Sequence, residues 1–139
     1  MTRVGTEVTG GRLDRESGDV RAHVVGVDPG LNRTGYAVMS LVGGELVLHE
    51  AGVIRSTAKL SLAERVAEIG SGIGSVLAEF CPLVLAIEQV FSLTRNPKSA
   101  LLLAHARGAI LMTAIAGRAD VVHYTPTQIK KLLTGSGRA

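Results

Sequence analysis

The 139-residue sequence predicts an α/β fold built on a mixed sheet, and three observations lead to it. Short apolar or alternating runs between residues 23 and 55, set apart by glycine-containing turns, read as three consecutive strands. Two longer runs, 61–80 and 97–117, have the length and pattern of helices, and a continuously apolar run, LVLAIE at 83–88, lies between them. Strands that alternate with helices are joined by crossovers, and crossovers allow non-consecutive strands to pair in parallel.

The first 22 residues carry four acids and four bases among Gly, Thr and Ser, with no apolar core that could serve as a secretory signal. They read as a disordered tail ahead of one domain, 23–139. His23 to Asp28 is the first strand, Thr34 to Val42 the second and Glu45 to Arg55 the third, with Gly43-Gly44 as the hairpin turn between the last two. Ser61 caps a helix running to Phe80, whose Leu62, Val66, Ile69, Ile73, Leu77 and Phe80 recur on one face. Gly70, Gly72 and Gly74 each lower its propensity by roughly 1 kcal/mol against alanine, so the helix depends on packing, through a close approach to the sheet. Cys81-Pro82 ends it. Leu83 to Glu88 follows as a strand of the kind buried on both faces.

Asn96-Pro97 starts the next helix, which runs to about Gly117. Asp120 to Tyr124 is the fifth strand, and Thr125-Pro126 opens a last helix through Leu133 that Gly135-Ser136-Gly137 ends. The order is β-β-β-α-β-α-β-α. A helical crossover permits the fourth strand to lie parallel to the first, which would bring their carboxyl ends together.

Composition narrows the function. Hydrophobic residues make up 46% of the chain, enough for a buried core. The stretch Ala100 to Ala116 is interrupted by His105, Arg107 and Thr113, short of the ~18 uninterrupted apolar residues that suggest a membrane span; it reads as a buried helix, with no membrane partner. The single cysteine, Cys81, allows no internal disulfide and reads as a small buried hydrophobe, and a cytoplasmic location is expected. The net charge of +3 is unevenly spread: residues 23–88 hold four Lys/Arg and seven Asp/Glu, and residues 89–139 hold seven Lys/Arg and one acid. A basic second half suits a phosphate-rich partner.

Two acids end the apolar strands: Asp28 in VVGVDPG and Glu88 in LVLAIE. An unpaired carboxylate is costly to desolvate, and two in contact raise each other's pKa unless a cation lies between them. A hard divalent ion such as Mg²⁺ is the usual remedy. On phosphodiesters a pair of such ions activates the attacking water and stabilises the leaving oxygen. Acids beside a basic tract suggest a nuclease.

VVGVDPGLNRTGYAV (24–38), AIEQVF (86–91) and YTPTQIKKLLTGSGRA (124–139) closely resemble the RuvC family of Holliday-junction resolvases, within the ribonuclease-H-like superfamily. The likeness covers nearly everything from His23 onward. It implies an endodeoxyribonuclease that nicks two opposed strands of four-way junction DNA in recombination and repair, using two Mg²⁺ ions per site with Mn²⁺ as a substitute. It further implies a homodimer that works with a branch-migration helicase complex. By the resemblance, Asp28 and Glu88 match two of four catalytic, metal-binding carboxylates, and Lys130 matches a lysine near the scissile phosphate. Phe91 matches a position that stacks on or wedges between junction bases. Arg33, Arg95, Lys98 and Lys131 are candidate phosphate contacts.

Blander roles stand beside these: core packing for Phe91 and plain surface charge for Lys130 and Lys131. His105 and His123 read as structural histidines. Family members continue into a helix bearing the last two carboxylates, whereas this sequence stops at Ala139, and Asp120 lies at the wrong end of its strand to substitute. The expectation is a C-terminally incomplete resolvase that cleaves poorly. Two rivals remain: an actin-like or sugar-kinase-type ATPase, for which a second similar domain would be needed, and a non-catalytic DNA-binding relative of the resolvases.

Overall fold

A computed structural model describes residues 2–6, 23–89 and 96–125 of the chain. Six strands form one sheet in the order β1-β4-β3-β2-β5-β6: β1 (Thr2–Thr6), β2 (His23–Asp28), β3 (Arg33–Val42), β4 (Glu45–Arg55), β5 (Val84–Glu88) and β6 (Asp120–Tyr124). Helix α1 (Leu62–Phe80) joins β4 to β5, and helix α2 (Pro97–Ala116) lies between β5 and β6 in sequence. β2, β3 and β4 form the expected antiparallel meander, and β5 and β6 add in parallel beside β2. Gly43 and Gly44 both take positive φ, 57° and 83°, as a two-residue hairpin turn requires. Residues 2–6 depart from the expected unstructured tail: they form β1, paired antiparallel with 51–55 of β4.

The core lies on one face of the sheet. Val25 and Val27 of β2, Tyr36 and Val38 of β3, Ile54 of β4, and Leu85 and Ile87 of β5 point into it, meeting Ile69, Ile73, Val76 and Leu77 of α1 and Ile110 and Ala114 of α2. A β-carbon on Gly72 would come within 2.5 Å of the Ile54 side chain, so glycine lets α1 sit directly on the sheet. Gly70 and Gly74 instead face α2, where a β-carbon would meet Thr113 at 3.4 and 3.5 Å. The glycine run that weakens the helix in isolation thus serves two packing contacts. Ser61 and Glu64 form a reciprocal capping box at its start.

Three expectations about burial change. β5 alternates between buried and half-buried positions, because both helices lie on the same face of the sheet and no described element covers the other; Leu83 is 59% exposed just before it. α2 has the length and composition of a membrane span. It is nevertheless two-sided: Ala106, Ile110 and Ala114 are buried, and Leu101, Met112 and Ile115 are exposed. Cys81 is exposed at the end of α1 in the left-handed conformation, φ 46°, and its thiol approaches the Ala78 carbonyl, so it closes the helix rather than filling the core. The last expected helix, 126–133, and its glycine loop lie outside the described residues.

Candidate active site

Parallel pairing puts Val27 beside Ile87, and the next position on each strand is an acid, Asp28 and Glu88. Neighbouring strands run about 4.8 Å apart. Val27 and Ile87 face the core, so by the twofold alternation of strands Asp28 and Glu88 both point to the opposite face. Asp28 is exposed and Glu88 half-buried. β6 brings Tyr124 opposite Glu88, and its hydroxyl donates to the Val27 carbonyl at 3.4 Å. Burial first, then the charges of Glu88 and Asp28, raise the pKa of this phenol above its ordinary 10.0. One ring therefore feels both carboxylates.

The turn after Asp28 is tied within itself and to α1. Gly30 N–H donates to the Thr34 hydroxyl at 3.2 Å, and that hydroxyl donates back to the Gly30 carbonyl at 2.8 Å. A β-carbon on Gly30 would fall 2.4 Å from the Arg33 carbonyl oxygen, so the turn closes only around glycine. Ser56 donates to the carbonyls of Leu31, at 2.6 Å, and Asn32, at 3.2 Å. Arg65 of α1 donates to Ser56 Oγ at 3.0 Å and Asn32 Oδ1 at 2.5 Å.

The peptide leaving Glu88 is held at both polar atoms. Its carbonyl accepts from the guanidinium of Arg107 on α2, and its N–H, that of Gln89, donates to the Tyr124 carbonyl at 2.6 Å. Arg107 is half-buried. Buried peptide groups must find partners, and here the partner is a charged side chain fixed on a rigid helix.

Two carboxylates side by side supply hard oxygen donors that suit a divalent cation retaining much of its water. Among the described residues no group of three or more His, Cys, Asp or Glu side chains converges. Asp120 pairs with Val84 at the far end of the sheet, as its place in the sequence implies.

Of the other sequence candidates, Arg33 begins β3, exposed, and Lys98 lies exposed in the first turn of α2. Phe91, Arg95, Lys130 and Lys131 lie outside the described residues. His105 and His123 are both exposed rather than built into the core. Arg65, Arg107 and Tyr124 are not among the sequence candidates. Arg107 left a signal, since an arginine in an otherwise apolar helix needs an acceptor; Arg65 and Tyr124 gain their roles only from the tertiary register.

Residues 24–139 match the family described as crossover junction endodeoxyribonuclease RuvC. The RuvC of Rhodopirellula baltica is 47% identical over 116 residues, covering 84% of this chain and 65% of that protein. The Dechloromonas aromatica protein is 40% identical, covering 84% and 64%. The chain thus spans slightly under two thirds of these relatives' length.

Thermus thermophilus RuvC superposes with a TM-score of 0.77 at 31% identity, covering 84% of this chain and 72% of that one. Its complex with a Holliday junction substrate gives 0.79 at 31% identity, over 85% and 72%. A yeast mitochondrial Holliday junction resolvase shares the fold alone, at 15% identity and a TM-score of 0.58. The mixed sheet and its helices define an α/β domain of the ribonuclease-H-like resolvase class. Within that class the chain belongs to the RuvC family of crossover junction endodeoxyribonucleases.

Proposed function

We propose that the chain forms the catalytic domain of an endodeoxyribonuclease that resolves Holliday junctions by paired nicking of opposed strands, in recombination and DNA repair. The observation that carries this is the side-by-side placement of Asp28 and Glu88 at the ends of β2 and β5. The RuvC relatives and the junction-bound Thermus protein supply the substrate class. Asp28 and Glu88 would hold Mg²⁺, with Mn²⁺ able to replace it. A bound pair of ions would lower the pKa of a water and stabilise the leaving oxygen.

The chain's own residues position the rest. Arg33, Arg95, Lys98 and Lys131 bind the DNA backbone, Lys130 stabilises charge on the scissile phosphate, and Phe91 stacks on junction bases. The exposed side chains Leu101, Met112 and Ile115 on α2 support an apolar contact between two copies. A twofold dimer presents two sites to a junction with matching symmetry. The setting is the bacterial cytoplasm, alongside a branch-migration helicase.

A synthetic four-way junction labelled on each strand tests the reading. Whatever Mg²⁺-dependent nicking the chain shows, weak as the sequence leads one to expect, should be symmetric and should vanish in Asp28→Asn and Glu88→Gln while junction binding persists. Cleavage that survives both substitutions would refute the assignment.

A further inference from the structure

The arginines around the acidic end of the sheet divide into two groups. Arg65 and Arg107 have their guanidinium groups engaged with Asn32, Ser56 and the Glu88 carbonyl. Arg33 and Arg55 have no protein acceptor among the described residues, and both are exposed. They are also direct cross-strand partners, the first residue of β3 against the last of β4.

Like charges placed directly opposite on a sheet destabilise it. The next pair inward, Thr34 and Ile54, is fully buried on the core face, so Arg33 and Arg55 lie on the opposite face. That is the face of Asp28, whose own cross-strand partner is Gly35. Gly35 lies two residues along β3 from Arg33, roughly 7 Å. The two guanidinium groups therefore form a lip beside the acids, on the same surface.

We infer that Arg33 and Arg55 form a paired clamp for a backbone phosphate of the DNA strand that crosses the acids. The inference rests on the proposed nuclease site and adds Arg55 to it. Two guanidinium groups supply forked donors matched to phosphate oxygens, and a bound anion removes the repulsion between them. A phosphate contact positions the strand without reading its sequence. The clamp is also separate from metal binding, so it acts when no divalent ion is present.

The decisive measurement is junction binding by fluorescence anisotropy in EDTA across a salt series, for the wild-type chain and for Arg33→Gln, Arg55→Gln and the double variant. The double variant should bind more weakly by a similar factor on unrelated junction sequences. Its plot of log affinity against log salt should be shallower by about 1. Without DNA, each single variant should melt higher than wild type because the facing charges are relieved, and inorganic phosphate should raise the wild-type Tm more than that of the double variant. That opposition, tighter fold and weaker binding, is not what a purely structural pair would give.

An unchanged salt slope in the double variant, with wild type binding normally, overturns the clamp and leaves the nuclease reading intact. Wild type failing to bind any junction overturns both. Polyglutamate that binds wild type and loses the double variant, with DNA binding unaffected, would assign the pair to an acidic protein and overturn the DNA clamp.

Discussion

Asp28 and Glu88 stand one strand apart, yet they are held by opposite means. The Asp28 turn is secured by partners close in sequence, Gly30 and Thr34, with Ser56 and Arg65 added from the next elements. The end of β5 depends on distant chain: Arg107 is 19 residues beyond Glu88, and the other hold comes from Tyr124 on the last described strand. A locally closed turn can form its acid's geometry early and keep it through partial loosening of the fold. The Glu88 side is correct only once α2 and β6 have docked. The difference teaches that one half of the site is built by sequence-local chemistry and the other by assembly.

The contrast can be broken most strongly at Arg107. Arg107→Ala leaves the Glu88 carbonyl without its charged donor, and divalent-metal affinity at the proposed site, measured by calorimetry, should fall about 10- to 100-fold if Glu88 binds the ion as proposed. Arg107→Lys should recover part of the loss. Equal metal affinity in Arg107→Ala and wild type would show that β5 and β6 alone suffice.

On the other side, Gly30→Ala forces a β-carbon into the Arg33 carbonyl. It should cost about 1–3 kcal/mol by urea unfolding, with the change centred on the turn in hydrogen exchange. A loss of protection that spreads to β5 would contradict the local character of that half.

A gentler probe reads the two acids together through Tyr124. Burial and the carboxylates of Glu88 and Asp28 raise its pKa above 10.0; the folded protein therefore keeps a stabilising proton that is lost as pH climbs through the raised value. In a Tyr36→Phe background, ultraviolet titration of the tyrosinate should move down toward 10.0 when Asp28→Asn and Glu88→Gln are combined. Each substitution alone should give part of the movement. A response to only one would mean that the phenol senses one half of the site.

The smallest effect lies in the helix that supports the Asp28 side. Glu64, held by the backbone and hydroxyl of Ser61, and Glu68, held by the backbone N–H and then the hydroxyl of Thr57, have pKa values below the ordinary 4.5. Their contribution is full above pH 4.5 and fades as pH falls through the lowered values. Glu68→Gln should flatten part of the acid limb of a stability-versus-pH curve. An unaltered limb would remove Glu68 from the account.

The same local-against-distant divide explains what the sequence disclosed. The meander, the Ser61 cap of α1 and the Asn96-Pro97 helix start are written in adjacent residues, and each appears in the fold where the pattern put it. The crossover between the meander and β5 permits the juxtaposition of Asp28 and Glu88, and the parallel pairing of β2 with β5 realises it. Burial is less legible in the sequence, because a continuously apolar strand and an apolar helix look the same whether one or both faces are covered; β5 and α2 each have an open side. Arg65, Arg55 and Tyr124 could not be picked out because their partners are set by register, which no single stretch of sequence carries. β1 escaped for a related reason: a polar pentapeptide becomes a strand only when it has an edge to join.

One feature of β2 and β5 reaches further. Along both strands the inward residues, Val27 and Ile87, belong to the core, and the very next residues, Asp28 and Glu88, face outward, where the proposed metal site lies. Packing and outward-facing charge are thereby assigned to alternate letters of the same two words. Substitutions on the outward face need not pass through the packed interior, so that surface can be altered without disturbing how the chain folds.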